Sequence, residues 1–291
     1  MTQSIRLKFY FCLIVSAVFT VCSFPLLEKA RSGGLPTELE KLQITDGFVA
    51  SQSKKVGLIR LIKGSGKLVV VHKPEQDAYY AREGNPVYEN DSLYTLDCRC
   101  RLEFEDKNVI IMAPETHMHI DEVSTSFFEG KKKSFFGMTR GKAVIYALRL
   151  FGYRDAKISL KTPHAMIGVR GTRFGAEIDK TKMENSTDEL TRAYVFEGEV
   201  DMTSLIDGKT QPLRVNEILE ADRRGLGTVV FDPIKTKAFL ESIVSGMELE
   251  KSPFVADEKE PDGIRKWGEL PGPGMGPGGG SHGMGMGGHR H

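Results

Sequence analysis

The sequence predicts an all-β domain, a compact sandwich or solenoid-like stack of many short strands, closed by one amphipathic helix and followed by a disordered Gly/Met/His tail. Three observations carry this expectation. Runs rich in β-branched and aromatic residues recur at near-regular spacing with turn residues between them. No stretch before Phe231 holds a helical period of useful length. The composition after Lys251 turns to Pro, Asp, Glu and Lys, and beyond Pro271 to Gly, Pro, Met and His, too poor in apolar residues to pack. With 291 residues, of which 40% are hydrophobic, the chain has enough apolar side chain for a core.

In chain order, Arg6 and Lys8 precede an apolar run from Phe9 to Val21, the charge-then-apolar order of a secretory signal. Val21 and Ser23 suit a cut before Phe24, which makes residues 1–23 a signal peptide. The apolar stretch also continues through Leu26 and Leu27 toward the roughly 17–25 residues of a spanning helix, which makes the same segment a membrane anchor. Either way the body is expected outside the cytoplasm, periplasmic or exported, with the inner membrane as neighbour if the leader is uncleaved. A lipid anchor at Cys22 would need a small residue where Val21 stands. Residues 24–55, with Gly33, Gly34 and Pro36, read as a linker with a short helix around Glu38 to Leu42.

Strands are expected from Val56 to residue 230: Gly57 to Ile62, Lys67 to His72, Ser92 to Leu96, Arg101 to Phe104, Val109 to Met112, His117 to Ile120, Ala143 to Leu150, Ala156 to Lys161, Thr172 to Ile178, Leu190 to Phe196, Glu199 to Thr203 and Thr228 to Phe231. Strand parity puts Cys98, Cys100, Leu102 and Phe104 on one face, and the last two mark it as the core face. Cysteines two apart on an extended strand lie about 6.6 Å apart, near the upper limit for a disulfide. Two buried thiols and a strained, redox-sensitive disulfide both remain open. His117 and His119 fall on the opposite parity from Met118 and Ile120, so they point away from the core as two exposed, metal-free histidines. A single tetrahedral site joining them to the cysteines is disfavoured. The segment Ser124 to Arg140, with Phe127-Phe128, Lys131 to Lys133 and Phe135-Phe136, reads as a solvated loop whose phenylalanines fold back on the sheet. Contact of its basic run with an anionic membrane is the competing reading.

The most informative stretch is Thr162-Pro163, then Gly168-Val169-Arg170-Gly171-Thr172-Arg173-Phe174, followed by Glu197-Gly198-Glu199-Val200. It reads as strand, glycine-punctuated bend, strand, with Gly168 and Gly171 where the backbone must turn or approach a neighbour closely. Arg170 is expected to lock the bend by pairing with a carboxylate or carbonyls, ligand binding being the alternative. Glu197 and Glu199 read as solvated turn carboxylates. Together with Tyr80 to Thr95 and with Leu102 to Asp121, which includes a bend at Pro114 to Thr116, this pattern resembles the FecR domain family over roughly residues 56 to 225. One departure is the turn Asp106-Lys107-Asn108, where the family carries Asp-Gly; Asn108 is expected to take the left-handed conformation. In FecR-type regulators a cytoplasmic segment restrains a sigma factor while the periplasmic part receives a signal from an outer-membrane transporter. Only Met1 to Lys8 is expected inside here, too short to hold a sigma factor. The resemblance therefore implies a non-enzymatic sensing or protein-interaction module of the bacterial envelope, with an envelope protein as partner.

Asp232-Pro233 then gives an N-cap and first helical residue. The helix, expected over 231–252, carries Ile234, Ala238, Phe239, Ile243 and Met247 as its apolar face. In the tail, 253–291, His282, His289, His291, Met284 and Met286 suit copper, nickel or zinc, held weakly because ordering the tail costs entropy. A periplasmic metal-binding or carrier protein acting through this tail is the alternative function. With 40 basic against 39 acidic residues the chain has no global field for a polyanion, so nucleic acid is not an expected partner. No nucleophile-base, nucleotide-loop or zinc-helix motif points to an enzyme.

Overall fold

The computed structural model describes residues 35–247 apart from 74, 127, 148–154, 170, 184 and 185; at 155, 180–183 and 186–188 the backbone alone is described. The strands are β1 (Ile44–Thr45), β2 (Lys55–Gly64), β3 (Leu68–His72), β4 (Asp77–Ala81), β5 (Pro86–Tyr88), β6 (Asp91–Thr95), β7 (Cys98–Phe104), β8 (Val109–Met112), β9 (His117–Ser126), β10 (Lys131–Tyr146), β11 (Asp155–Lys161), β12 (Ala165–Val169), β13 (Arg173–Met183), β14 (Ser186–Glu197), β15 (Val200–Ser204), β16 (Thr210–Leu213), β17 (Glu217–Asp222), β18 (Gly225–Leu226) and β19 (Val230–Phe231). Helix α1 (Pro233–Val244) follows. The fold is all-β with a single terminal helix among the described residues.

The ladders form two sheets. One runs β1-β4-β3-β6-β9-β10-β11-β12-β15-β16. The other runs β5-β2-β7-β8-β10-β13-β14-β17, with β18 and β19 on the far edge of β17. Strand β10 serves both: Lys131 to Arg140 pairs with β9, and Gly141 to Tyr146 pairs with β8 and β13. The same passage between sheets recurs in pairs. Strands β2-β3 lie beside β6-β7, β8-β9 beside β10, and β12-β13 beside β14-β15, so three two-stranded ribbons each bend once and contribute to both sheets. Strands that switch sheets at bends are how a sandwich closes its corners. At the middle ribbon, Gly141 has φ +89, and a Cβ there would sit 2.4 Å from Thr116 Oγ1 and 2.5 Å from its Cα. Only glycine fits that approach.

Inward residues of both sheets, among them Val70, Leu93 and Phe136 from the first and Ile59, Leu102 and Ile145 from the second, form one core. The outer face of the first sheet is covered as well. Leu39, with Leu42 and Ile44, packs on Val69, Val71, Ala78 and Tyr94, so every residue of β3 is buried. Residues 36–45 are therefore part of the fold rather than the expected linker, and the expected helix there is a pair of turns held by Leu39 N–H to Pro36 O and Leu42 N–H to Leu39 O. The expected loop Ser124 to Arg140 is instead the β9–β10 hairpin. Phe136 and Lys132 point into the interior, Phe128 is fully exposed, and Phe127 lies outside the described residues.

Helix α1 covers the second sheet. Asp232 accepts from Lys235 N–H at 2.8 Å as N-cap, with Pro233 at the first helical turn. The buried face is Thr236, Phe239, Ile243 and the following Met247, while Ile234 is 82% exposed and Ala238 is also exposed. This corrects the expected face: at about 100° per residue Ile234 lies opposite Ile243, and Thr236, its hydroxyl tied to Asp232 O at 2.7 Å, takes the inward slot. Phe239 stacks on Tyr194 with ring centroids 4.0 Å apart. Arg99 donates to Ser245 O at 2.8 Å, Arg101 to Met247 O at 3.3 Å, and Lys63 to Gly246 O, so three cations from β2 and β7 meet the carbonyl end of the helix, where its dipole favours them.

Candidate interaction surface

The glycine-rich motif occupies the third ribbon's double corner. Thr162 closes the β11–β12 turn: its N–H and hydroxyl reach Ala165 O at 2.8 and 2.9 Å, and Thr191 Oγ1 from the other sheet donates to Thr162 Oγ1 at 3.2 Å. Pro163 is half-buried within that turn. Gly168 and Val169 end β12, opposite Asp201 and Val200 of β15. The chain then changes sheets through Gly171, at φ +66, and Thr172, whose backbone exchanges hydrogen bonds with Ala147 at 2.9 and 3.0 Å. Strands β14 and β15 cross back at Gly198, φ +81, where a Cβ would meet Thr172 Oγ1 at 2.9 Å and Gly171 O at 3.1 Å. Thr172 Oγ1 donates to Glu199 O at 2.9 Å, pinning one corner to the other. Phe174 is wholly buried, while Glu197 is exposed.

Residues 91–201 match the family model described as FecR protein. The likeness to a FecR domain is confined to those residues. The match runs from the start of β6 into β15, so it holds the second and third ribbons and half of the first. Two crystal structures of a candidate anti-sigma factor from Parabacteroides distasonis ATCC 8503, at 2.50 and 1.65 Å resolution, are similar to it. Identity is 19% and 18%, with 51% and 52% of this chain and 62% and 64% of theirs covered, at TM-scores of 0.38 and 0.37. The chain thus spans less than two thirds of either structure. No curated protein matches it.

Around the FecR motif, Arg173 extends over the Tyr146 ring, 5.7 Å from its centroid. Arg170 lies outside the described residues, as do the leader and the tail with His282, His289, His291, Met284 and Met286. Among the described residues no helix is long and apolar enough to cross a membrane. No three-ligand metal cluster occurs among them either.

Cys98 and Cys100 are fully buried free thiols. Burial pushes the Cys98 thiol up to about 11 and also raises Cys100 well above its ordinary value. The turn between β7 and β8 corrects one expectation: Lys107, at φ 67, takes the left-handed position, and Asn108 keeps its amide inside the protein. His117 corrects another. It does point away from the core, but it is only 7% exposed, stacked on Tyr94 at 3.9 Å and bonded through Nδ1 to Thr139 Oγ1 at 2.6 Å. Burial first, then the charges of Lys73 and Arg140, bring it down to about 3. His119, less deeply placed, holds Asp121 Oδ1 at 3.1 Å.

Sequence reasoning passed over a third histidine. His72 and Asp91 are fully buried and joined at 2.6 Å, and His72 Nε2–H donates to Val49 O at 2.9 Å. Burial works to lower His72, but the Asp91 and Val49 hydrogen bonds outweigh it and raise it; burial raises Asp91. The only sequence signs were a histidine ending the apolar run of β3 and an aspartate beginning β6.

Besides Leu35, Phe48 and Phe128, the exposed large apolar side chains among the described residues lie between residues 205 and 234. Val230 and Phe231 of β19 are 54% and 66% exposed, and Ile234 follows at the start of α1. Strand β19 pairs with β17 on one side and, among the described residues, has no strand on the other. Leu205, Ile206 and Val215 are exposed around β16, the last strand of the first sheet.

Proposed function

We propose that this FecR-like protein is a non-enzymatic, extracytoplasmic sensing or protein-interaction module of the bacterial envelope that docks an extended segment of a partner protein along β19. The observation that carries this reading is an edge strand flanked by exposed Val230, Phe231 and Ile234. An edge offers backbone groups to a further strand, and apolar side chains beside it supply the affinity. Most sheet edges are protected against such pairing, by contrast. The motif corners, pinned to each other through Thr172, position the sheets that carry the edge. The leader, with Arg6 and Lys8 before its apolar run, supports export.

Cross-linking from the intact envelope, with the exported chain as bait, tests the docking reading. A partner captured by the wild type and lost with Phe231→Lys and Ile234→Glu, at unchanged melting temperature, is the expected result. Equal capture by both would refute the edge as the docking site. A reporter fused after residue 60 is expected to be active only across the membrane, and cytoplasmic activity would overturn the assigned compartment.

A further inference from the structure

A sandwich interior is a costly place for an ammonium group, yet Lys132 stands there, 1% exposed, on the inward row of β10 that continues with Ser134, Phe136 and Met138. Its partners come from the β7–β8 turn. The left-handed Lys107 turns the side chains on either side of it inward, leaving Asp106 1% and Asn108 0% exposed. Lys132 Nζ donates to Asn108 Oδ1 at 2.9 Å. That separation places the amide carbon behind the oxygen within about 4 Å of the nitrogen. Asn108 Nδ2 donates to Asp106 Oδ2 at 2.6 Å, Ser134 Oγ donates to the same oxygen, and Lys132 Nζ lies 3.9 Å from it. An amine, an amide carbon and a carboxylate that touches the amide nitrogen are thus held together away from water.

We propose that Lys132 and Asn108 join in an intramolecular amide bond, with Asp106 as the proton shuttle, tying the β7–β8 turn to β10. Lys132 first passes a proton to Asp106 and becomes a neutral amine, a form that burial favours. Its lone pair attacks Asn108 Cγ to give a tetrahedral carbon. Asp106 protonates Nδ2 and takes a proton from Nζ. The Cγ–Nδ2 bond breaks, the carbonyl reforms, and ammonia leaves, carrying off the surplus proton as ammonium. One C–N bond forms and one breaks, nothing is oxidised or reduced, and no water is consumed. Holding the reactants in place supplies the rate, since well-oriented intramolecular pairs react as though at very high concentration.

Intact-mass and peptide mass spectrometry of the full folded chain decide the matter. The expected wild-type chain is lighter by one ammonia and yields a branched peptide containing both Asn108 and Lys132, with no tryptic cut after Lys132. The branched peptide distinguishes the cross-link from ammonia lost at an asparagine alone. Lys132→Arg and Asp106→Ala should keep the ammonia, the second because amine and amide remain but the shuttle is gone. Asn108→Asp should lose water instead and reach the same product mass as the wild type. A folded wild-type chain whose Asn108 and Lys132 appear in separate linear peptides overturns the proposal.

Discussion

At the scale of single residues, the buried histidines set opposing responses to pH. The unfolded chain binds a proton at His117 near pH 6.5, whereas the folded chain refuses one until about pH 3. The unfolded state therefore gains on acidification, and each pH unit within that window removes about 1.4 kcal/mol of stability. His119, also lowered, first by burial, adds to the loss. His72 acts the other way: its raised folded value gives stability that is present below its unfolded pKa and lost as pH rises through the folded one. Urea titrations at pH 7 and pH 5 should show a weaker protein at pH 5, with His117→Gln flattening that acid slope and His72→Gln steepening it. Strand parity revealed which way His117 points, because alternation is a local rule. It could not reveal that residues 36–45, distant in sequence, lie over that face and make it dry. The inward turn of Asn108 was hidden for a similar reason, since its partners Ser134 and Lys132 lie on another strand. The motif glycines were legible because their need is local. At Gly171, φ +66 penalises any β-branched side chain. Gly171→Val should lower stability by more than about 1 kcal/mol in a denaturant titration; an unchanged midpoint with loss of partner capture would make the bend a binding feature.

At the scale of elements, α1 shows what a periodic pattern conveys and what it omits. Its position and start were legible from Asp232-Pro233, since a cap and a preset φ are chemical signals within a few residues. Its face was not, because Thr236 competes for the sheet by bonding its hydroxyl to Asp232 O, which hides its polarity. Phe239→Ala should cost about 3–5 kcal/mol by removing the ring stacked on Tyr194. Ile234→Asp should change stability by no more than about 0.5 kcal/mol, as an exposed position. Thermal melts of the two variants separate them, and the reverse order would mean the helix docks by its other face. Short edge strands such as β5 and β16 escaped sequence reading because Pro86 and Pro212 break the expected pattern, which edges tolerate. The first half of β10 escaped because Lys131, Lys132 and Lys133 look like a solvated run, although only the middle one is inward.

At the scale of the whole molecule, the all-β class and the resemblance to FecR domains were legible, while the order of strands was not. Nothing local states that β10 leaves β9 for β8 and β13, since that depends on pairings made far along the chain. The family match at 91–201 cuts the first ribbon lengthwise, leaving β6 and β7 without β3 and β2. A fragment of residues 91–201 should therefore fail to fold, whereas residues 35–247 should give a dispersed amide NMR spectrum; a well-dispersed short fragment would show that the first ribbon is dispensable. The bent ribbons also govern how the molecule comes apart. Because each ribbon belongs to both sheets and β10 is one uninterrupted strand across them, neither sheet can melt and leave its companion standing. Loss of order in one layer strips partners from the other at every corner, so unfolding is a single cooperative event in which the two layers share one fate.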